Sequence, residues 1–178
     1  MFGAHGIHEV ENDIAIKGSF VPYGQLLTLN TAKEVLLCVV AVARTLAQLH
    51  ALGVVHNDIR WDNIVEYQAD ELEADDVEEV KYIIIDFDDA FTLTQGSDLC
   101  PALGHLSEED HSEQSRLEAH GCEVDVWSLG HLLLSNSLTN RHRAVSRVAN
   151  DIKANFASLS ADAVVALLEK LQLDSPEF

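Results

Sequence analysis

Residues 56 to 63 read His56-Asn57-Asp58-Ile59-Arg60-Trp61-Asp62-Asn63, and whether this polar octet is chemistry or only a turn decides the fold. Apolar sequence encloses it, with Leu52-Gly53-Val54-Val55 before and Ile64-Val65 after. The octet therefore reads as a loop between a buried helix end and a buried strand. Loops held by rigid elements are where reactive groups are usually placed.

Upstream, Thr31 and Glu34 have the spacing of a capping box, and Val35, Val39, Val42, Leu46 and Leu49 recur at helical spacing. A second row, Leu36, Val40 and Ala43, widens the apolar face, so a helix over 31–52 is expected to be buried on most sides and to stop at Gly53. Downstream, NIVEY and VKYIIIDF are β-branched runs that predict a hairpin of two short strands. The charge block QADELEADDVEE between them reads as a solvated excursion. From Ala90 to Glu118 no period is sustained, which marks a long polar segment that is either functional or mobile. DVWSLGHLLL then predicts a helix with a carboxylate at its cap. Another follows on Val145, Val148, Ile152 and Phe156, its other face carrying Arg141, Arg143, Arg147 and Lys153, and a last runs from a Ser160 cap through Val164, Leu167, Leu168 and Leu171. The fold class expected is mainly α with a small β-hairpin, an α+β arrangement of one domain's length.

Composition limits the partners. The chain has 178 residues with 11 Lys and Arg against 30 Asp and Glu, and its net charge of -19 repels nucleic acid and anionic membrane surfaces. The first residues show no basic stretch followed by an apolar run, and the run VLLCVVAVA ends at Arg44, short of a membrane span. Cys38, Cys100 and Cys122 have neither the count nor the density of a disulfide scaffold, so a reducing cytoplasmic or nuclear setting is expected. The pair His5 and His8 suggests metal, but no Cys or carboxylate stands near it at ligand spacing.

The sequence resembles the C-terminal lobe of a protein kinase through three motifs in order. His56, Asn57, Asp58 and Asn63 stand where that family has His-Arg-Asp with an Asn five residues after the Asp. Asp86, Phe87 and Asp88 stand for Asp-Phe-Gly, and Asp125, Trp127, Ser128 and Gly130 for Asp-x-Trp-Ser-x-Gly. The last motif favours protein kinases over aminoglycoside and choline kinases, and HNDI with IIIDFDDA is similar to the fungal-type protein kinase-like family. The resemblance covers about residues 20 to 176 and implies ATP and Mg²⁺ as cofactors. It implies that Asp58 accepts or orients the proton of the attacking hydroxyl, and that Asn63 and Asp86 ligate Mg²⁺. It implies further that Arg60 holds the γ-phosphate, that Asp125 fixes the loop through backbone N–H groups, and that His56 is structural rather than a base. Phe87, Trp127 and Gly130 are placed as structural residues by the same motifs. FVPYGQL, with Val21 and Tyr23, would be the hinge that contacts the adenine edge.

The rest of the family's ATP clamp is not legible. The chain contains no G-x-G, and although Lys17 in IAIK imitates the strand lysine, the residues from Gly18 to Asn30 are too few for a Glu-bearing helix, two strands and the hinge. Residues 1–30 are therefore expected to be a remnant of an N-lobe strand and hinge, and 31–178 a C-lobe truncated before its last helix. Asn57 replaces the Arg that reads a phosphorylated segment, and Asp88 the Gly of the magnesium loop. Three functions follow as expectations: a Ser/Thr-type phosphotransferase with little turnover as the isolated chain, a pseudokinase docking module, or, as runner-up, a small-molecule kinase of the choline or aminoglycoside type. An apolar patch on the exposed hinge side would take a protein partner or a second copy.

Overall fold

The computed structural model describes residues 7–10, 13–16, 25–68, 80–93 and 99–174. Strands β1 (Ile7–Val10) and β2 (Asp13–Ile16) form an antiparallel pair of their own. Strand β3 (Gln25–Leu26) leads into helix α1 (Ala32–Ala51). The capping box is formed: the Thr31 hydroxyl accepts the Glu34 N–H at 3.1 Å, and the Glu34 carboxylate accepts the Thr31 N–H at 3.0 Å. At the other end Gly53 takes a left-handed φ of 74°, and a Cβ there would lie 2.9 Å from the Leu93 carbonyl oxygen. Glycine thus lets the chain turn sharply beside strand β7 (Phe91–Thr92), which pairs with β4 (Val54–Val55).

A 3₁₀ turn over Trp61–Asn63 delivers the chain into β5 (Ile64–Gln68), which pairs antiparallel with β6 (Val80–Ile84) in register Ile64 to Ile84. β3 adds to the other edge of β5, giving the sheet order β3-β5-β6. Of the charge block read between the two strands, Gln68 ends β5, and 69–79 lie outside the described residues.

The segment after β7 has no helical period yet is built into the molecule. Cys100 and His120 pair through their backbones, and a short helix α2 (Glu113–Leu117) is capped by the Ser112 hydroxyl. Helices α3 (Glu123–Ser135), α4 (Arg143–Asn155) and α5 (Ala161–Asp174) complete the chain. Asp125 is not the cap of α3, as the sequence suggests, but lies in its first turn after Cys122. Phe156 falls in a 3₁₀ turn beyond α4, and the Ser160 hydroxyl accepts the Ala163 N–H at the start of α5.

The core lies where α1, α3, α4 and α5 meet the sheet. Leu36, Val39 and Leu46 of α1 are fully buried with Leu129, Leu132 and Leu133 of α3, Ile152 of α4 and Leu168 of α5. By length and composition α1 is apolar enough to cross a membrane. Here Val35, Leu36, Val39, Val42, Ala43 and Leu46 face the core, while Leu37 is exposed. The result is a mainly helical α+β fold with a small antiparallel sheet.

Candidate active site

Loop 56–63 leaves β4 with its backbone turned inward. Asn57 has a φ of 71°, a left-handed conformation that Asn tolerates better than most residues. This turn presents the N–H groups of His56 and Asn57 to one carboxylate: Asp125 accepts them at 2.8 and 2.9 Å and also meets His50 Nε2 at 2.9 Å. Asp125 is fully buried, and a carboxylate at such a site costs several kcal/mol unless its lone pairs are filled. Filling them ties the loop to α3.

The Asn57 amide carries the anchoring further. Its Nδ2 donates to the Asp89 carbonyl at 2.7 Å, and its Oδ1 lies 3.0 Å from His120 Nε2. His56 is buried, with Nε2 donating to the Ile85 carbonyl at 3.2 Å and Nδ1 accepting the Asp58 N–H at 3.3 Å. These two contacts define its tautomer and leave it no free nitrogen to act as a base. Burial pushes the His56 imidazole below its ordinary range, outweighing the Asp125 carboxylate, and the Phe87 ring meets it edge-on at 4.6 Å.

Asp58 is gripped at both oxygens. Asn63 Nδ2 donates to Oδ2 at 2.7 Å and to the Asp58 carbonyl at 2.8 Å, while His111 Nε2 lies 2.8 Å from Oδ1. The His111 hydrogen bond holds the Asp58 carboxyl below the usual range against the opposing effect of burial, with Asn63 adding to it. Asp86 comes to the same place by register. The Asn63 carbonyl accepts the Ile85 N–H at 2.9 Å, so Asp86 follows directly on the residue paired with Asn63. A φ of 63° at Asp86 takes its exposed side chain out of the strand direction. Left-handed conformations at non-glycine residues cost energy and tend to persist at functional sites. The strain falls on Asp86 itself rather than on Asp88, where the glycine of the resembled motif would stand: Asp88 has no positive φ.

The other sequence-predicted residues are placed as follows. Arg60 Nη2 meets Asp62 at 2.6 Å and Nη1 meets Asp110 at 3.8 Å. Trp127 is half-buried, stacked on His131 at 5.2 Å with the Lys153 ammonium 3.9 Å from its ring centre. Lys153 is thus not simply part of a solvated basic face. Gly130 is buried where α3 meets α4, and a Cβ there would lie 2.8 Å from the Ala149 carbonyl oxygen. Val21, Tyr23 and Lys17 lie outside the described residues, as does His5. Sequence reasoning gave no role to His111 and Asp110, because SEEDHSEQS has no period and no motif to single them out, nor to His131, which follows the Asp125–Gly130 motif.

What this arrangement can do is hold the Asp58 carboxylate against Asn63, with Asp86 one residue beyond the backbone partner of Asn63. With Asn63 Nδ2 turned to Asp58, its Oδ1 has no hydrogen bond to a described residue, nor has the Asp86 carboxylate. Among the described residues no three of His, Cys, Asp and Glu converge as a metal cage. Mg²⁺ does not require one: it is commonly bound by one or two protein oxygens, with phosphate and water completing the octahedron, and Asn63 with Asp86 fits that pattern.

No family model matches the chain. Among curated proteins it is similar to crinkler effector protein 8 of Phytophthora infestans, 26% identical over 145 residues. The match covers 76% of this chain and 22% of that protein, so the chain corresponds to about a fifth of the relative's length.

Proposed function

We propose that the chain carries the phosphoryl-transfer machinery of a protein-kinase-like phosphotransferase of Ser/Thr type, with residues 31–178 as its C-terminal lobe and ATP with Mg²⁺ as cofactors. The observation that carries this reading is the joint placement of Asp58, Asn63 and Asp86 at one end of the β5-β6 hairpin, with Asp125 fastening the loop from below. Asp58 orients the acceptor hydroxyl and takes its proton, a role open to a carboxylate kept ionised. Asn63 and Asp86 hold the metal, which supplies charge neutralisation to the transferred phosphate. Asn63 also braces Asp58, so a single side chain couples the metal side of the site to the proton-accepting side.

Turnover of the chain alone is expected to be low. The sequence has no G-x-G to cover the phosphates, and loss of such electrostatic placement costs about two to three powers of ten per donor. A second reading, a docking module, draws on exposed apolar surface: Leu26 on the edge strand β3 is 87% exposed and Leu37 on α1 is 43% exposed. The likeness to an effector protein is compatible with either.

Thermal unfolding separates them. Mg²⁺ with ATP at about a hundred times its dissociation constant stabilises a binding protein by about 2.7 kcal/mol, a rise of several degrees. The phosphotransferase reading expects a rise that needs both metal and nucleotide and is lost in Asp86→Asn. No rise, or one unchanged in Asp86→Asn, would discard it in favour of the docking module.

A further inference from the structure

His111 sits between two acceptors. Its side chain is 2% exposed, with Nε2 2.8 Å from Asp58 Oδ1 and Nδ1 3.1 Å from the Ser107 carbonyl oxygen. The Ser107 hydroxyl lies 3.3 Å from Nδ1 and 3.1 Å from Asp110 Oδ2. A neutral imidazole has one donor and one acceptor nitrogen, and a ring that donates Nε2–H to Asp58 can accept the Ser107 hydroxyl at Nδ1.

We infer that His111 is the positioning residue for Asp58: its Nε2–H, donated to Oδ1, fixes the carboxylate and fastens the segment from Leu99 to His120 over loop 56–63. The charged groups around it are accounted for. From the loop, Asp58 faces the ring, while Arg60 is directed to Asp62 and Asp110. From its own segment comes Asp110, which lies between Arg60 and His131 of α3 at 3.8 and 3.6 Å. Asp58 is therefore the carboxylate that His111 has to itself. The segment is tied down at two further points, His105 to Asp89 at 3.0 Å and His120 to Asn57 at 3.0 Å. A carboxylate offers about four lone-pair positions, so Asp58 held by His111 and Asn63 can still accept an incoming hydroxyl. The value of this clamp for phosphoryl transfer rests on the function proposed above; the clamp itself does not.

The test uses ring-nitrogen NMR on the full chain, with His111 assigned from His111→Gln, and radiolabelled phosphate transfer from ATP to a mixed peptide acceptor. The His111 Nε2 signal should report a proton held against Asp58 and should shift in Asp58→Asn. The His120 ring, which lies between the Glu118 carbonyl and Asn57 Oδ1, is the internal control and should not move. His111→Leu should lose about 10- to 100-fold in transfer rate, the usual scale for an orienting partner. His111→Gln, which keeps a donor, should recover most of that rate. A His111 Nε2 signal unmoved by Asp58→Asn overturns the clamp, and a faster His111→Leu overturns the positioning role. An intact pairing in a chain that Mg²⁺ with ATP does not stabilise would remove the proposed phosphotransferase and leave the clamp standing.

Discussion

Asp125 shows how much one residue carries. It is fully buried and serves the N–H groups of His56 and Asn57 as well as His50. Removing one partner of a buried charge network leaves the others unpaired, so Asp125→Ala should cost about 3 to 5 kcal/mol in denaturant unfolding. A cost below about 1 kcal/mol, the range of a surface pair, would contradict that role. His56 gives a pH dependence of defined sign. Its folded value is depressed by burial, so as pH falls through about 6.5 the unfolded chain takes up the proton first. The contribution of His56 is thus complete above that pH and is lost toward acid. Asp58, held below the usual carboxylate range, adds a second loss as pH falls below about 4. The His56 part should appear as an acid loss of stability in the chain that is smaller in His56→Gln, a comparison that cancels the general effect of the acidic surface. An equal acid loss in both would contradict it. Such single-residue roles were legible in part. Asp58, Asn63 and Asp86 stand out by spacing, whereas His111 does not, because its contact with Asp58 spans 53 positions of sequence and belongs to no period.

At the scale of elements, helix packing explains Gly130. A Cβ there would meet Lys153 Cγ at 2.7 Å, the Ala149 carbonyl oxygen at 2.8 Å and Ile152 Cγ2 at 3.3 Å. Lys153 is a flexible chain and can yield, but the carbonyl is backbone. Alanine would gain about 1 kcal/mol of helix propensity and lose more by forcing α3 from α4, since overpacking costs about 1 to 3 kcal/mol. Gly130→Ala should therefore lower the unfolding midpoint and disturb the Lys153–Trp127 contact, read as a change in Trp fluorescence; a raised midpoint would show that the helices separate freely. The helices and the hairpin were legible because their signals are local: the Thr31–Glu34 box, the Gly53 stop, the β-branched runs at Ile64 and Ile83. The segment from Leu99 to His120 was not. Its order comes from long-range ties, Cys100 to His120, Asn57 to His120 and Asp58 to His111, which leave no periodic trace. The contact of Arg60 with Asp110 is of the same kind, far along the chain and without a periodic trace.

For the whole molecule, the net charge of -19 sets the terms on which a nucleotide could bind. A polyanion would be repelled unless a divalent cation came with it, so metal and nucleotide should act together rather than separately. The same charge would scatter free cations over the surface, and metal alone is a poor probe. The direct measurement is paramagnetic broadening of backbone amide signals by Mn²⁺ added with ATP, compared with Mn²⁺ alone. If Asp58, Asn63 and Asp86 form one metal–phosphate site, broadening that requires the nucleotide should centre on the amides of Asn63 and Asp86 and disappear in Asp86→Asn. Broadening spread over the acidic surface and indifferent to ATP would contradict the account, and would leave loop 56–63 as a fastening of the fold rather than a site of chemistry.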